Sequence, residues 1–108
     1  MARHNDRILN NIVEALKKEF KPSRIFLFGS RAQGTARTDS DYDFVIIVTN
    51  TRRSLHSNLT RARELLRKEC NVSADVFVYT QKEFDEWKNE LSSIPETALN
   101  TGREILLG

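Results

Sequence analysis

The sequence has little of what would tie a small protein together covalently or hold it in a membrane. Cys70 is its one cysteine, so no disulfide can form within the chain. No apolar run approaches the roughly 20 residues that cross a bilayer, and the first residues lack the apolar core of a signal peptide. Charge of one sign is also scarce, because 17 basic and 15 acidic residues leave a net charge of +2. That balance does not indicate nucleic-acid binding by itself. These absences predict a soluble, cytoplasmic protein.

The apolar pattern predicts an α/β (α+β) fold, a small mixed sheet of about three to four strands flanked by helices. At 108 residues, we expect one domain over residues 1–108. Helices are predicted over 3–20 and 55–70, after Thr80 and after Ser93, and strands over 25–28, 44–48 and 76–79. The last helix is expected to stop at Gly102. Because a helix connects the second and third strands, these two strands are predicted to be parallel.

A glycine and a serine directly follow the first predicted strand. Gly29 permits a tight turn and lets a phosphate group approach the backbone closely. The backbone N–H of Ser30 can face an anion, and its hydroxyl can donate a hydrogen bond to a phosphate oxygen. The alternative is an ordinary turn from strand to helix in which Ser30 caps the helix. Gly29 and Ser30 are therefore either a phosphate-binding turn or an ordinary turn between a strand and a helix.

Two aspartates precede the most apolar strand. Because side chains alternate between the faces of a strand, Asp41 and Asp43 point the same way and Tyr42 points the opposite way. Two carboxylates this close repel each other unless a cation lies between them. Mg²⁺ suits such a site, since it takes oxygen ligands and leaves positions open for substrate phosphates. The alternative is a solvated acidic turn over residues 39–43.

A third aspartate, Asp75, opens the third predicted strand. Parallel neighbouring strands begin at the same edge of a sheet, so we expect Asp75 to lie beside Asp41 and Asp43. A third carboxylate is what a two-metal site needs, because one ion binds a triphosphate and the other lowers the pKa of an attacking hydroxyl. The alternative for Asp75 is a residue in a loop or at a strand end with no chemical role.

The segment from Phe28 to Phe44 resembles the nucleotidyltransferase signature of the DNA polymerase β superfamily. That signature is Gly-Ser, a spacer and then Asp-x-Asp, and ten residues here separate Ser30 from Asp41. The chain most resembles the minimal nucleotidyltransferases, and the similarity extends over almost its whole length. Two positions depart from the pattern: Gln33 stands where a basic residue is common, and Tyr42 replaces an aliphatic residue.

The resemblance implies a palm-like fold and Mg²⁺-dependent transfer of a nucleoside monophosphate, AMP from ATP above all, to an acceptor hydroxyl with release of pyrophosphate. It implies that Gly29 and Ser30 hold the phosphates. It further implies that Asp41 and Asp43 bind two Mg²⁺ ions and that Asp75 is the third catalytic and metal-binding carboxylate. Arg31 can pair with a phosphate as a charged fork, or it can lie on the surface of a short helix.

Minimal nucleotidyltransferases also resemble the antitoxins of two-protein systems whose partner is an all-helical HEPN protein. This implies AMPylation of that partner as the neutralising act. Because 108 residues leave no room for an acceptor-binding domain, the acceptor site is expected to come from another chain or a homodimer. Two alternatives remain: an antitoxin that masks its partner without catalysis, and a catalytic subunit for a small-molecule or RNA acceptor.

Six basic residues lie on the middle helix or just before it. A solvated polar face explains them, and so does a patch that faces phosphate or RNA. These residues are Arg52, Arg53, Arg61, Arg63, Arg67 and Lys68.

Overall fold

The fold is built on one mixed sheet with helices on both faces. The computed structural model describes the backbone of residues 4–107 and the side chains of residues 7–107. The sheet has the order β3-β2-β1-β4, in which β2 is parallel to β3, and β1 is antiparallel to both β2 and β4. The elements are α1 (His4–Phe20), β1 (Arg24–Phe28), α2 (Ser30–Gln33), β2 (Tyr42–Val48), α3 (Leu55–Cys70), β3 (Ala74–Thr80), α4 (Gln81–Trp87), α5 (Ile94–Thr101) and β4 (Arg103–Ile105).

The predicted mixed α/β fold and the parallel pairing of β2 with β3 are confirmed, and two elements are additions. The Gly-Ser turn after β1 leads into α2, a single turn of helix that the predicted helices did not include, and the segment after Gly102 adds β4 as an edge strand. β4 has three residues, which is too few for an alternating pattern to emerge from the sequence. The predicted start of the first helix at Arg3 lies outside the described residues.

Polar caps explain where three helices begin. The Ser54 hydroxyl accepts a hydrogen bond from the Ser57 N–H at the start of α3. At the start of α4, Thr80 and Glu83 form the predicted capping box, in which each side chain accepts the backbone N–H of the other. Ser93 caps α5 in the same way as Ser54 caps α3. Such caps satisfy N–H groups that the first turn of a helix leaves without partners.

The two faces of the sheet are covered by different helices. The α1/α3 face is the side on which Phe44 and its alternate neighbours in β2 pack against α1 and α3, and it contains the larger core. The α4/α5 face is the opposite side, where Val45 and Ile47 pack against Phe84 of α4 and Ala98 of α5. β2 is therefore a central strand with both faces covered over most of its length, as its continuous apolar run predicts. Within residues 4–107, no helix is long and apolar enough to cross a membrane.

Candidate active site

Two of the three candidate carboxylates are direct neighbours across the parallel pair of strands. Asp43 is the second residue of β2 and its register partner in β3 is Asp75. Alternation places both side chains on the α4/α5 face, at the end of the sheet where β2 and β3 begin. Asp41 immediately precedes β2 and is exposed to solvent. The structure thus brings Asp75 from a distant part of the sequence to the side of Asp43.

Asp43 is an aspartate of the site whose pKa is raised in the folded protein. The pKa of Asp43 is raised to about 6, chiefly by partial burial and also by the neighbouring charges of Asp75 and then Asp41. A cation at this position would offset the repulsion and favour the ionised form of the carboxylate. Carboxylate oxygens are the ligands that a hard divalent ion such as Mg²⁺ prefers, so the chemical type of these side chains fits that metal.

Gly29 lies against the Asp43 carboxylate because β1 ends beside the start of β2. Its φ of +74° is in the region that favours glycine, and a Cβ at this position would lie 2.5 Å from Oδ2 of Asp43. The Gly29 carbonyl accepts the N–H groups of Ala32 and Gln33 at 3.1 and 3.2 Å, and Ser30 is the first residue of α2. Glycine is therefore required here both for the backbone angle and for the approach of the carboxylate.

Arg31 is not brought together with the carboxylates. Its guanidinium stacks on the ring of Tyr42, with the central carbon 4.3 Å from the ring centroid. Its Nη2 donates to the carbonyls of Ser40 at 2.8 Å and Thr38 at 3.3 Å. Tyr42 is buried in the core of the α1/α3 face, opposite to Asp43. In this structure Arg31 holds the loop that leads into Asp41, and its guanidinium is turned away from the face where a phosphate would meet Asp43.

The middle helix contributes one of its basic residues to the site, and the sequence did not connect that residue with the aspartates. Arg63 of α3 forms a salt bridge with Asp75 through its Nη2 and the carboxylate Oδ1. Among the described residues, no group of three or more histidine, cysteine, aspartate or glutamate side chains is arranged to hold a metal ion. No spacing signal distinguishes Arg63 from the other arginines of α3.

Three of the other basic residues, Arg52, Arg53 and Arg61, do not form one patch with Arg63. Arg61 forms a salt bridge with Glu19 of α1. Arg52 and Arg53 line an open cavity of about 400 Å³ beside Val48 and Val78, at the far ends of β2 and β3 from the carboxylates. This division favours solvated and locally paired side chains over a single surface for phosphate or RNA.

The fold and the site together define a class of protein. A mixed sheet that presents aspartates at the start of two adjacent parallel strands, behind a Gly-Ser turn, is the arrangement of a nucleotidyltransferase. The family model described as "Polymerase beta, Nucleotidyltransferase" matches residues 10–92, which is most of the chain. The chain therefore belongs to the polymerase β nucleotidyltransferase family.

Solved structures share the fold at low sequence identity. A toxin–antitoxin crystal structure with AMP-PNP has 20% identity and a TM-score of 0.67, over 88% of this chain and 69% of that one. The toxin–antitoxin MntA-HpeT, in a mutant with tyrosine replaced by alanine, has 19% identity and a TM-score of 0.66, over 91% and 71%. A candidate nucleotidyltransferase from Sulfolobus solfataricus has 22% identity and a TM-score of 0.54, over 74% and 70%. No curated protein sequence matches the chain.

Proposed function

We propose that this chain is a nucleotidyltransferase domain that uses Mg²⁺ to move AMP from ATP onto an acceptor hydroxyl, with release of pyrophosphate. The observation that carries the proposal is the register of Asp43 with Asp75, with Gly29 against the Asp43 carboxylate. Membership of the family supports the reaction class. The similar toxin–antitoxin structure with AMP-PNP, an analogue of ATP, supports adenine as the base.

Each residue of the site has a distinct part in this proposal. Gly29 leaves room for a phosphate, and the Ser30 N–H and hydroxyl donate hydrogen bonds to it. Asp41, Asp43 and Asp75 are the oxygen ligands for two Mg²⁺ ions, which when bound neutralise phosphate charge and lower the pKa of the acceptor hydroxyl. The acceptor oxygen bonds to the α-phosphorus, the bond from that phosphorus to pyrophosphate breaks, and Asp75 accepts the hydroxyl proton.

The acceptor in this proposal is a hydroxyl on an all-helical, HEPN-type toxin, and the chain is its antitoxin. Two of the similar structures are toxin–antitoxin complexes. Large apolar side chains are exposed on and after α4 and on α5, namely Trp87, Leu91 and Leu99. They offer contact area to a partner or to a second copy of this chain. The partner would then supply the acceptor site.

The test uses ATP labelled at the α-phosphate, Mg²⁺ and host lysate, with the Asp43→Asn variant compared with Asp39→Asn. Asp39 is an exposed carboxylate in the loop before β2, so its substitution is a chemically matched control. We expect label on one discrete protein band with the wild type and Asp39→Asn. We expect a loss of about 10³-fold with Asp43→Asn, because stabilisation of transition-state charge is lost.

Circular dichroism must show that Asp43→Asn is folded. Full labelling by a folded Asp43→Asn protein would contradict the proposal. Label in RNA or in a small molecule, with none on protein, would keep the transferase and replace the acceptor.

A masking antitoxin without catalysis is the second candidate, and the salt bridge between Arg63 and Asp75 is the observation that favours it. A protein that masks its toxin does not need a site loaded with nucleotide. Mg²⁺ with ATP should raise the melting temperature of the enzyme, because a ligand that binds only the folded state stabilises it. An unchanged melting temperature at millimolar Mg-ATP would favour masking.

A further inference from the structure

Arg63 occupies the carboxylate of Asp75 that a metal ion would bind. We propose that Arg63 is a positioning residue that acts as the counter-ion of Asp75 while the metal is absent, and that must release Asp75 before this carboxylate can take part in the metal site. The inference rests on the proposed function. The inference adds a step to the proposed reaction, because a metal ion that binds Asp75 must then replace the guanidinium of Arg63.

Arg63 belongs to a helix that packs on the opposite face of the sheet from the Asp75 side chain. Its helix α3 packs on the α1/α3 face through Ala62 and Leu66, whereas Asp75 alternates onto the α4/α5 face. β3 is an edge strand, so the Arg63 side chain reaches Asp75 past the outer edge of the sheet. The side chain of Arg63 is 52% exposed and that of Asp75 is 27% exposed. An arginine with this much solvent contact can leave its partner without repacking the core.

Electrostatics explains why Asp75 needs a counter-ion in the absence of metal. Asp75 faces Asp43 in register, and the charges of Asp75 and Asp41 both act on Asp43. The single positive charge of Arg63 offsets part of this repulsion from the outer side of the cluster. A divalent ion between the carboxylates would offset more of it, because it carries twice the charge and contacts the oxygens directly. Arg63 and the metal therefore compete for the Asp75 carboxylate, which Arg63 contacts at Oδ1.

The pairing is specific to one arginine of α3. Arg61, two residues earlier, is directed to Glu19 of α1. Arg67, one turn later, lies exposed in the last turn of the same helix. A general positive potential from α3 would make these arginines equivalent, whereas the structure joins Arg63 alone to Asp75 among the described salt bridges.

The test measures binding of Mn²⁺ alone, without nucleotide, by titration calorimetry on the folded full chain. Arg63→Gln is compared with the wild type and with Arg67→Gln, which removes the same charge from the same helix. A half-exposed salt bridge is weak, so we expect Arg63→Gln to lower the Mn²⁺ Kd by about two- to five-fold. Arg67→Gln should match the wild type. Arg63→Lys retains the charge without the planar fork, so its Mn²⁺ Kd should lie between those of the wild type and Arg63→Gln.

A second pair of variants tests whether Arg63 acts through Asp75. In an Asp75→Asn background, Arg63→Gln should give no gain in Mn²⁺ affinity, because the pair no longer exists. Equal Mn²⁺ affinity in Arg63→Gln and Arg67→Gln, or weaker binding in Arg63→Gln, would overturn the inference and leave the proposed function standing. No binding of Mn²⁺ or of Mg-ATP by the wild type would instead overturn the proposed function, and this inference with it.

Discussion

Tyr42 and Asp43 are neighbours in β2, yet they belong to regions with opposite properties. Tyr42 points into the α1/α3 face, where fifteen of the described side chains form one buried cluster. Asp43 points to the α4/α5 face, where the buried cluster has five members. The larger cluster removes more apolar surface from water, so it provides more of the stability. The face with the smaller core is the one that can leave carboxylates in contact with solvent and substrate.

The α4/α5 face is covered unevenly along β2 and β3. Phe84 and Ala98 cover Val45 and Ile47, whereas Asp43 and Asp75, nearer the starts of these strands, are only partly buried. Asp43 therefore keeps enough contact with water to ionise, although partial burial makes its ionisation harder. A core that continued over this end would exclude both metal and nucleotide. Stability and chemistry are thus separated between the two sides of one strand.

The largest expected effect compares a phenylalanine from each face. Phe44 is fully buried on the α1/α3 face, and Phe84 is 1% exposed on the other, with its ring stacked on Phe26 at a centroid distance of 5.5 Å. We expect Phe44→Ala to lower the free energy of unfolding by about 3–5 kcal/mol, because it leaves a cavity that the large core cannot refill. Phe84→Ala should cost less, since the short helix α4 can move toward the sheet. Urea unfolding measures both, and a larger loss in Phe84→Ala would reverse the assignment of the main core.

The next effect separates backbone strain from the close approach at the site. Gly29 and Gly34 both have positive φ, +74° and +75°, but a Cβ on Gly34 has no atom within 4 Å. We expect Gly29→Ala to cost about 1–3 kcal/mol of stability and to reduce nucleotidyl transfer, because it strains the backbone and displaces the Asp43 carboxylate. Gly34→Ala should reduce stability through strain alone and retain transfer. Equal activity in the two variants would show that the contact between Gly29 and Asp43 is not needed.

The smallest effect concerns pH and the metal-free protein. The pKa of Asp43 is raised from 3.8 to about 6 in the folded state, so the folded state binds its proton more tightly than the unfolded state. The stabilising contribution is complete below pH 3.8 and is lost as the pH rises through about 6. Because Asp43 is partly exposed, solvent screening leaves a change of about 1 kcal/mol.

Urea unfolding at several pH values, for the wild type and Asp43→Asn without metal, measures this contribution as the difference between the two proteins. The amide that replaces the carboxylate in Asp43→Asn carries no titrating proton, so the wild type should lose stability relative to the variant between pH 4 and about 6. Parallel pH profiles for the two proteins would contradict the raised pKa. Saturating Mg²⁺ should reduce the difference, because the metal favours the ionised form.

Most of the fold could be predicted because its signals are local. Apolar periodicity indicated the long helices, and continuous apolar runs indicated the three longer strands. The meeting of Asp43 with Asp75 also followed from the sequence, since a helix between two strands makes them parallel and aligns their starts. β4 could not be predicted in this way, because its strand conformation depends on pairing with β1 across the sheet.

The sequence by itself determined the longer helices and strands, the parallel pairing of β2 with β3, and the aspartates near the start of that pair. Only the tertiary structure decided how the arginines are used. Arg31 follows the Gly-Ser turn, yet its guanidinium packs on Tyr42 and holds the loop carbonyls, while Arg63 from α3 reaches Asp75. The physical reason is that a long, flexible cation goes to whichever acceptor or ring the folded chain brings within its reach. Patterns of alternation and helical period set the direction of a Cα–Cβ bond, and they do not specify where a guanidinium several bonds further out will lie.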